Sequence, residues 1–167
     1  MSNFVYLKIL KAKSLVLIFD KCIDDYHKFD NVNQEIINPF EKNSFEGILY
    51  RKCWTDTVQW HYEDIIRDDE INPKKALDLK RKIDKSNQKR TNLVEVIDDY
   101  FIDEFKKVNP QKNASINTES PAWAIDRLSI LVLKIYHMAE QANRTSASRD
   151  HRMKCSEKLS ILNEQKS

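Results

Sequence analysis

Three of the four histidines in the chain have a carboxylate three residues away: Asp24 with His27, His61 with Asp64, and His137 with Glu140. On a helix that spacing puts both side chains on one face, and an imidazole beside a carboxylate can move a proton or ligate a metal. Metal–carboxylate bundles use such spacing, but in the order Glu-x-x-His. That order is absent here, which weighs against a dimetal oxidase. His61 with Asp64 is the best acid–base candidate, because His61 stands in the apolar stripe Tyr50, Trp54, Val58, His61 and Ile65. Asp24 and His27 fall off the apolar stripe of their segment and are expected to face solvent or a loop.

Other polar residues stand where helical periodicity calls for apolar ones. On the segment that opens at Asn72-Pro73, residues Leu79, Ile83, Val94, Ile97, Phe101 and Phe105 define an inward stripe at about 100° per residue. Asn87 and Arg90 fall on that stripe, and Asp84, Thr91 and Asp98 lie along its edge. The segment that opens at Ser120-Pro121 is apolar over most of its circumference, apart from a strip of Asp126, Arg127, Lys134 and His137. Burying these groups unpaired would cost several kcal/mol, so they must meet one another, water or a ligand. They are expected to converge in a charged pocket inside a bundle: His61, Asp64, Asp84, Asn87, Arg90, Asp98, Asp126, Arg127 and Lys134. In that pocket Arg90, Arg127 and Lys134 would hold anionic groups, while Asp84, Asp98 and Asp126 would orient them or accept hydroxyls. The mix suits a small anionic or sugar-like ligand of phosphorylated or sugar-nucleotide type. A divalent metal could bridge, although no specific motif indicates one. The competing reading is a non-catalytic interaction module whose buried salt bridges only fix helix register.

The elements that must position these residues are helices. Glycine occurs once, at Gly47, and proline four times, which excludes glycine-built phosphate loops, dinucleotide fingerprints and hairpin meanders. Five helices are expected, over about 3–29, 44–68, 72–107, 120–142 and from 147 onward, forming one all-α domain over 1–167 with one long helix. Ser86-Asn87-Gln88 is the weakest helix-forming stretch of the third and the natural place for a bend. If that helix overhangs the rest, it would favour a homodimer. No run of about 18 apolar residues appears, so no spanning helix is expected. Cys22, Cys53 and Cys155 are scattered and odd in number, as suits buried reduced thiols in a cytoplasmic protein. Charges of both signs are interspersed at a net +2, which argues against a nucleic-acid surface.

Several strings carry a resemblance to known families. Arg144 and His151 have the spacing found in the HEPN-class ribonucleases, a short motif that arises readily by chance and would make a metal-dependent phosphoesterase or HEPN-like ribonuclease a third reading. Glu95-x-x-Asp98 is similar to half of the paired acidic motif of all-helical nucleotide pyrophosphatases, without its partner. Longer strings are more specific: Asp25-Tyr26-His27, residues 58–67 (VQWHYEDIIR), residues 80–88 (KRKIDKSNQ) with Arg90-Thr91, and Thr118-Glu119-Ser120-Pro121 followed by residues 124–131 (AIDRLSIL). These resemble an uncharacterised bacterial family, domain of unknown function 4254, over nearly the whole chain. The resemblance implies an all-helical cytoplasmic protein and an association with surface-polysaccharide or glycosyl transfer. Its strings include His61, Asp64, Asp84, Asn87, Arg90, Asp126 and Arg127 and add Glu119 to the candidate ligand-binding residues. The family pattern is expected to continue beyond Glu164-Gln165, whereas this chain ends at Ser167.

Overall fold

Four helix starts are set by side chains that accept hydrogen bonds from otherwise unpaired first-turn amides. Ser44 Oγ accepts from Gly47 N at 3.0 Å, and Asn72 Oδ1 accepts from Lys74 N at 2.9 Å. Ser120 Oγ accepts from Trp123 N at 3.3 Å and Ser148 Oγ from His151 N at 3.2 Å. Pro73 and Pro121 occupy the position after their caps, where a missing N–H costs nothing. The computed structural model describes residues 11–167. It contains α1 (Ala12–His27), α2 (Phe45–Ile66), α3 (Pro73–Phe105), α4 (Pro121–Asn143) and α5 (Arg149–Lys166), with no strand among the described residues. Residues 3–10 of the expected first helix lie outside the described residues.

α4 packs on each of the other four helices, and α2 packs on α1, α3 and α4. One core joins Phe19, Cys22 and Tyr26 of α1, Leu49, Tyr50 and Cys53 of α2, Val94, Ile97 and Phe101 of α3, and Ile125, Val132 and Leu133 of α4. All three cysteines are buried free thiols. α5 rests on α4 alone, and Cys155 is its one buried residue. No helix among the described residues is long and apolar enough to cross a membrane.

Two expectations about register need correction. The stripe assigned to α2 is too narrow: its first half, from Phe45 to Thr57, is buried on nearly every side, because α1, α3 and α4 enclose it. Ile65, at the end of that stripe, is exposed. α3 runs unbroken through Ser86-Asn87-Gln88, and its buried line passes from Ile83 through Ser86 to Val94, leaving Asn87 exposed. Phe105 is exposed as well.

Ser120 does two jobs, capping α4 and donating its hydroxyl to Asp98 Oδ2 of α3 at 3.1 Å. Ser120→Ala should lower the unfolding free energy by about 1 kcal/mol, read as a shift in the urea midpoint at unchanged slope.

Candidate functional site

The centre of the molecule holds four charges of balanced sign. Lys52, on the enclosed half of α2, is 0% exposed. Its Nζ lies 2.6 Å from Asp56 Oδ2, 2.8 Å from Asp126 Oδ1 and 3.1 Å from the Asp126 main-chain oxygen, three oxygens for its three protons. Arg90 reaches in from α3 and grips Asp126 side-on, Nε to Oδ1 at 2.8 Å and Nη2 to Oδ2 at 2.5 Å. Ser129, one turn along α4, donates to Asp56 Oδ2 at 2.7 Å. Burial pushes the Asp126 carboxyl up, but Arg90 and Lys52 outweigh it and hold that carboxyl below the usual range. Asp56 has no such grip. Burial raises its carboxyl, and Lys52 and Ser129 offset that only in part.

One acceptor is left over. Asp56 Oδ1 is buried without a hydrogen-bond partner, with Arg90 Nε 3.7 Å from it. Asp56 and Arg90 both line a cavity of about 160 Å³, whose wall also includes Gln59, Trp60, Glu63 and Asp64. Arg90 and Ile130 also line a second cleft of about 400 Å³, where Arg127 and Lys134 bring further positive charge and Leu162 and Gln165 of α5 form the rim. Lys134 has no ion-pair partner among the described residues; Arg127 pairs with Glu119 at the surface. The two spaces therefore share Arg90 and Ile130 in their walls; Asp56, Glu63, Asp64 and Trp60 line the first together with Arg67, and Arg127 and Lys134 line the second together with Asp126.

The residues expected from sequence divide clearly. Arg90 and Asp126 form the buried cluster, Arg127 and Lys134 line the cationic cleft, and Asp64 lines the cavity while pairing with Arg67 at 3.1 Å. Asp84 is exposed and paired with Lys80, and exposed Asn87 accepts from Gln59 at 2.8 Å. Asp98 is engaged with Ser120, away from the cluster. Lys52, Asp56 and Ser129 were not among the expected residues. No sequence signal marked them, since residues 45–57 also carry Glu46 and Arg51 and hold an ordinary share of charge.

His61 does not pair with Asp64. Its Nε2 lies 3.0 Å from Asp30 Oδ1, in the turn after α1. His27 is not solvent-facing either: its side chain is 8% exposed, packed against Tyr136 and within 5.2–5.5 Å of the His137 and His61 rings. Burial pushes His137 down; Glu140 opposes that in part, and His27 and His61 add to it. Trp60 stacks on His137 at 4.7 Å and 8°, so the indole separates this histidine cluster from the cavity. His151 lies near Gln141 and Cys155, each at 3.4 Å.

Fold and site together define an all-α helical bundle with a buried ion cluster at its centre and two clefts beside it that share Arg90 in their walls. Residues 46–167 match the sequence profile of the family described as Protein of unknown function (DUF4254), and the chain belongs to that family. No curated protein and no solved structure matches it.

Proposed function

We propose that the protein binds a hydroxyl-rich ligand carrying an anionic group, such as a sugar phosphate or sugar nucleotide, across the two clefts that share Arg90 in their walls. The observation that carries this reading is the unpaired Asp56 Oδ1 in a residue lining the cavity. A buried carboxylate oxygen without a donor is costly, and a ligand hydroxyl would supply the missing hydrogen bond. Trp60 offers an apolar wall for a sugar ring beside it. The adjoining cleft supplies Arg127 and the unpaired Lys134 for phosphate oxygens. Asp56, with its raised carboxyl, is the group best suited to exchange a proton with that hydroxyl. Three free thiols, with no disulfide among them, support a reducing, cytoplasmic setting.

Calorimetric titration with UDP-glucose, glucose 1-phosphate, UDP and glucose tests the proposal. The phosphate-bearing compounds should bind, and the Arg127→Ala/Lys134→Ala double variant should weaken them by about tenfold or more while its unfolding midpoint stays near wild type. If none of the four binds, or the double variant binds each of them as wild type does, the reading fails. A purely structural cluster is favoured by one fact, the complete saturation of Lys52 and Asp126. That alternative expects no ligand to raise the melting temperature.

A further inference from the structure

The histidine cluster at the end of α1 has the donor set and spacing of a metal site. α1 ends at His27, and the chain turns back through Asp30, the one non-glycine described residue at positive φ (51°), with the amides of Phe29 and Asp30 both donating to Tyr26 O. An aspartate tolerates that left-handed conformation better than most residues. The turn brings the Asp30 carboxylate against His27 of α1 and His61 of α2, while His137 of α4 faces both imidazoles. The three rings stand 5.2, 5.5 and 5.8 Å apart, centroid to centroid.

Each imidazole has its Nδ1 facing an oxygen. His27 Nδ1 lies 2.7 Å from Ile23 O, His61 Nδ1 3.1 Å from Thr57 O and His137 Nδ1 2.9 Å from Glu140 Oε2. Main-chain carbonyls only accept, so in the neutral rings Nδ1 donates and Nε2 keeps its lone pair. This is the outer-sphere arrangement that fixes metal-binding histidines in the right tautomer. Two of the remaining nitrogens have nothing to bind: Nε2 of His27 and Nε2 of His137 are both buried without a hydrogen-bond partner. Asp30 Oδ1 stands 3.0 Å from His61 Nε2 and 3.9 Å from His27 Nε2, and ligand atoms of these three residues lie within 4.8 Å of one another. Lone pairs so arranged repel one another unless something positive lies between them.

Geometry indicates what that would be. A tetrahedral ion with bonds of about 2.0–2.2 Å to nitrogen and oxygen needs its ligand atoms about 3.4 Å apart, midway between the two distances to Asp30. Imidazole and carboxylate donors without thiolate suit a zinc-class divalent ion and not a soft Cu(I) centre. We propose that His27 Nε2, His61 Nε2 and the Asp30 carboxylate bind one such ion, with its fourth position left to water. The site is independent of the cleft reading, since Trp60 stands between them. Asp30 is 59% exposed, so the ion can enter from solvent without the bundle opening. Once bound, it ties the end of α1 to α2, adding to the Tyr50–Asp25 hydrogen bond and the ring contacts already there.

The test uses tag-free full-length protein, stripped with EDTA and titrated with Co²⁺ and then Zn²⁺. Wild type should take up one Co²⁺ with the visible absorption of a tetrahedral site, lose that colour to Zn²⁺, and melt at a higher temperature with either ion. Asp30→Asn, which keeps shape and lies in an exposed turn, should weaken binding by about 100-fold, and His27→Ala/His61→Ala should abolish it. His151→Ala, outside the cluster, should bind as wild type does. If wild type takes up no Co²⁺, the proposal is overturned. Uptake unchanged in Asp30→Asn and in His27→Ala/His61→Ala places the ion elsewhere and equally overturns it. Should the double-histidine variant fail to fold, by circular dichroism, Asp30→Asn decides alone. An imidazolium–carboxylate contact would show up as an uncoloured wild type whose melting temperature ignores both ions.

Discussion

Lys52→Met should cost the protein about 3–5 kcal/mol of stability, the largest effect we expect from any single substitution. Methionine fills much of the volume of the lysine stem, so packing loss is a minor part of the cost. The major part is that Asp56 and Asp126 lose the ammonium that both contact while their side chains stay almost fully buried, at 3% and 1% exposure. Asp126 keeps its two bonds from Arg90, but Asp56 keeps only the Ser129 hydroxyl and a longer 3.7 Å approach of Arg90 Nε. The sign of the pH dependence follows from this. Asp56 already titrates above its ordinary value, and without Lys52 it moves higher. A group raised in the folded state contributes stability that is present below its unfolded pKa and is lost as pH rises through the folded one. Asp126, held low partly by Lys52, contributes the opposite kind of stability, which is lost as pH falls; the variant forfeits part of it at neutral pH. Both changes enlarge the deficit on the alkaline side. Urea denaturation of wild type and variant should therefore give a smaller difference at about pH 5 than at about pH 8. An equal difference at both would mean that Asp56 is not the group left exposed by the loss.

Gly47→Ala should destabilise by about 1–3 kcal/mol, against the direction that helix propensity demands. Gly47 lies in the first turn of α2, where alanine would ordinarily improve the helix by about 1 kcal/mol. A Cβ there would stand 2.1 Å from the main-chain oxygen of Glu41 and 3.1 Å from its carbonyl carbon. That oxygen cannot simply retreat. It accepts from Ser44 N at 3.1 Å and from Ser44 Oγ at 2.9 Å, and Ser44 is itself the cap of the helix. Asn38 Nδ2 donates to Gly47 O at 2.9 Å and holds the preceding loop against the same turn. The chain's single glycine is thus required by close backbone approach. The midpoint of urea unfolding settles the matter by sign alone, since relief by loop movement would leave alanine the more stable residue.

What could be read from the sequence follows how each helix meets water. Helix starts at Ser44, Asn72 and Ser120 were legible because capping is local chemistry. Arg90 and Asp126 were legible because each interrupts an otherwise apolar face. Lys52 and Asp56 were not: on a helix enclosed by three others the apolar periodicity is flat, and a Lys–Asp pair four residues apart looks like any solvated pair. His27 was misassigned for a related reason, since the last turn of α1 is covered from the side by Tyr136 and His137 of α4, which no pattern within α1 can announce. Asp30 sits in a turn, outside any periodicity. Asn87 fell to the outside because the buried ridge of α3 steps from Ile83 through Ser86, a choice between two adjacent positions that periodicity alone leaves open, before rejoining the expected line at Val94, Ile97 and Phe101.

The attachment of α5 has a dynamic consequence. Its 18 residues touch a single neighbour and sink one thiol, whereas the rest of the bundle is cross-braced through α2 and α4. Leu162 and Gln165, which border the cationic cleft, belong to this outrigger. Its release is therefore a sub-global event, set by its one seam with α4 and not by the cooperative melting of the whole. The mouth of the cleft can breathe on its own clock while Lys52 and its two aspartates stay locked.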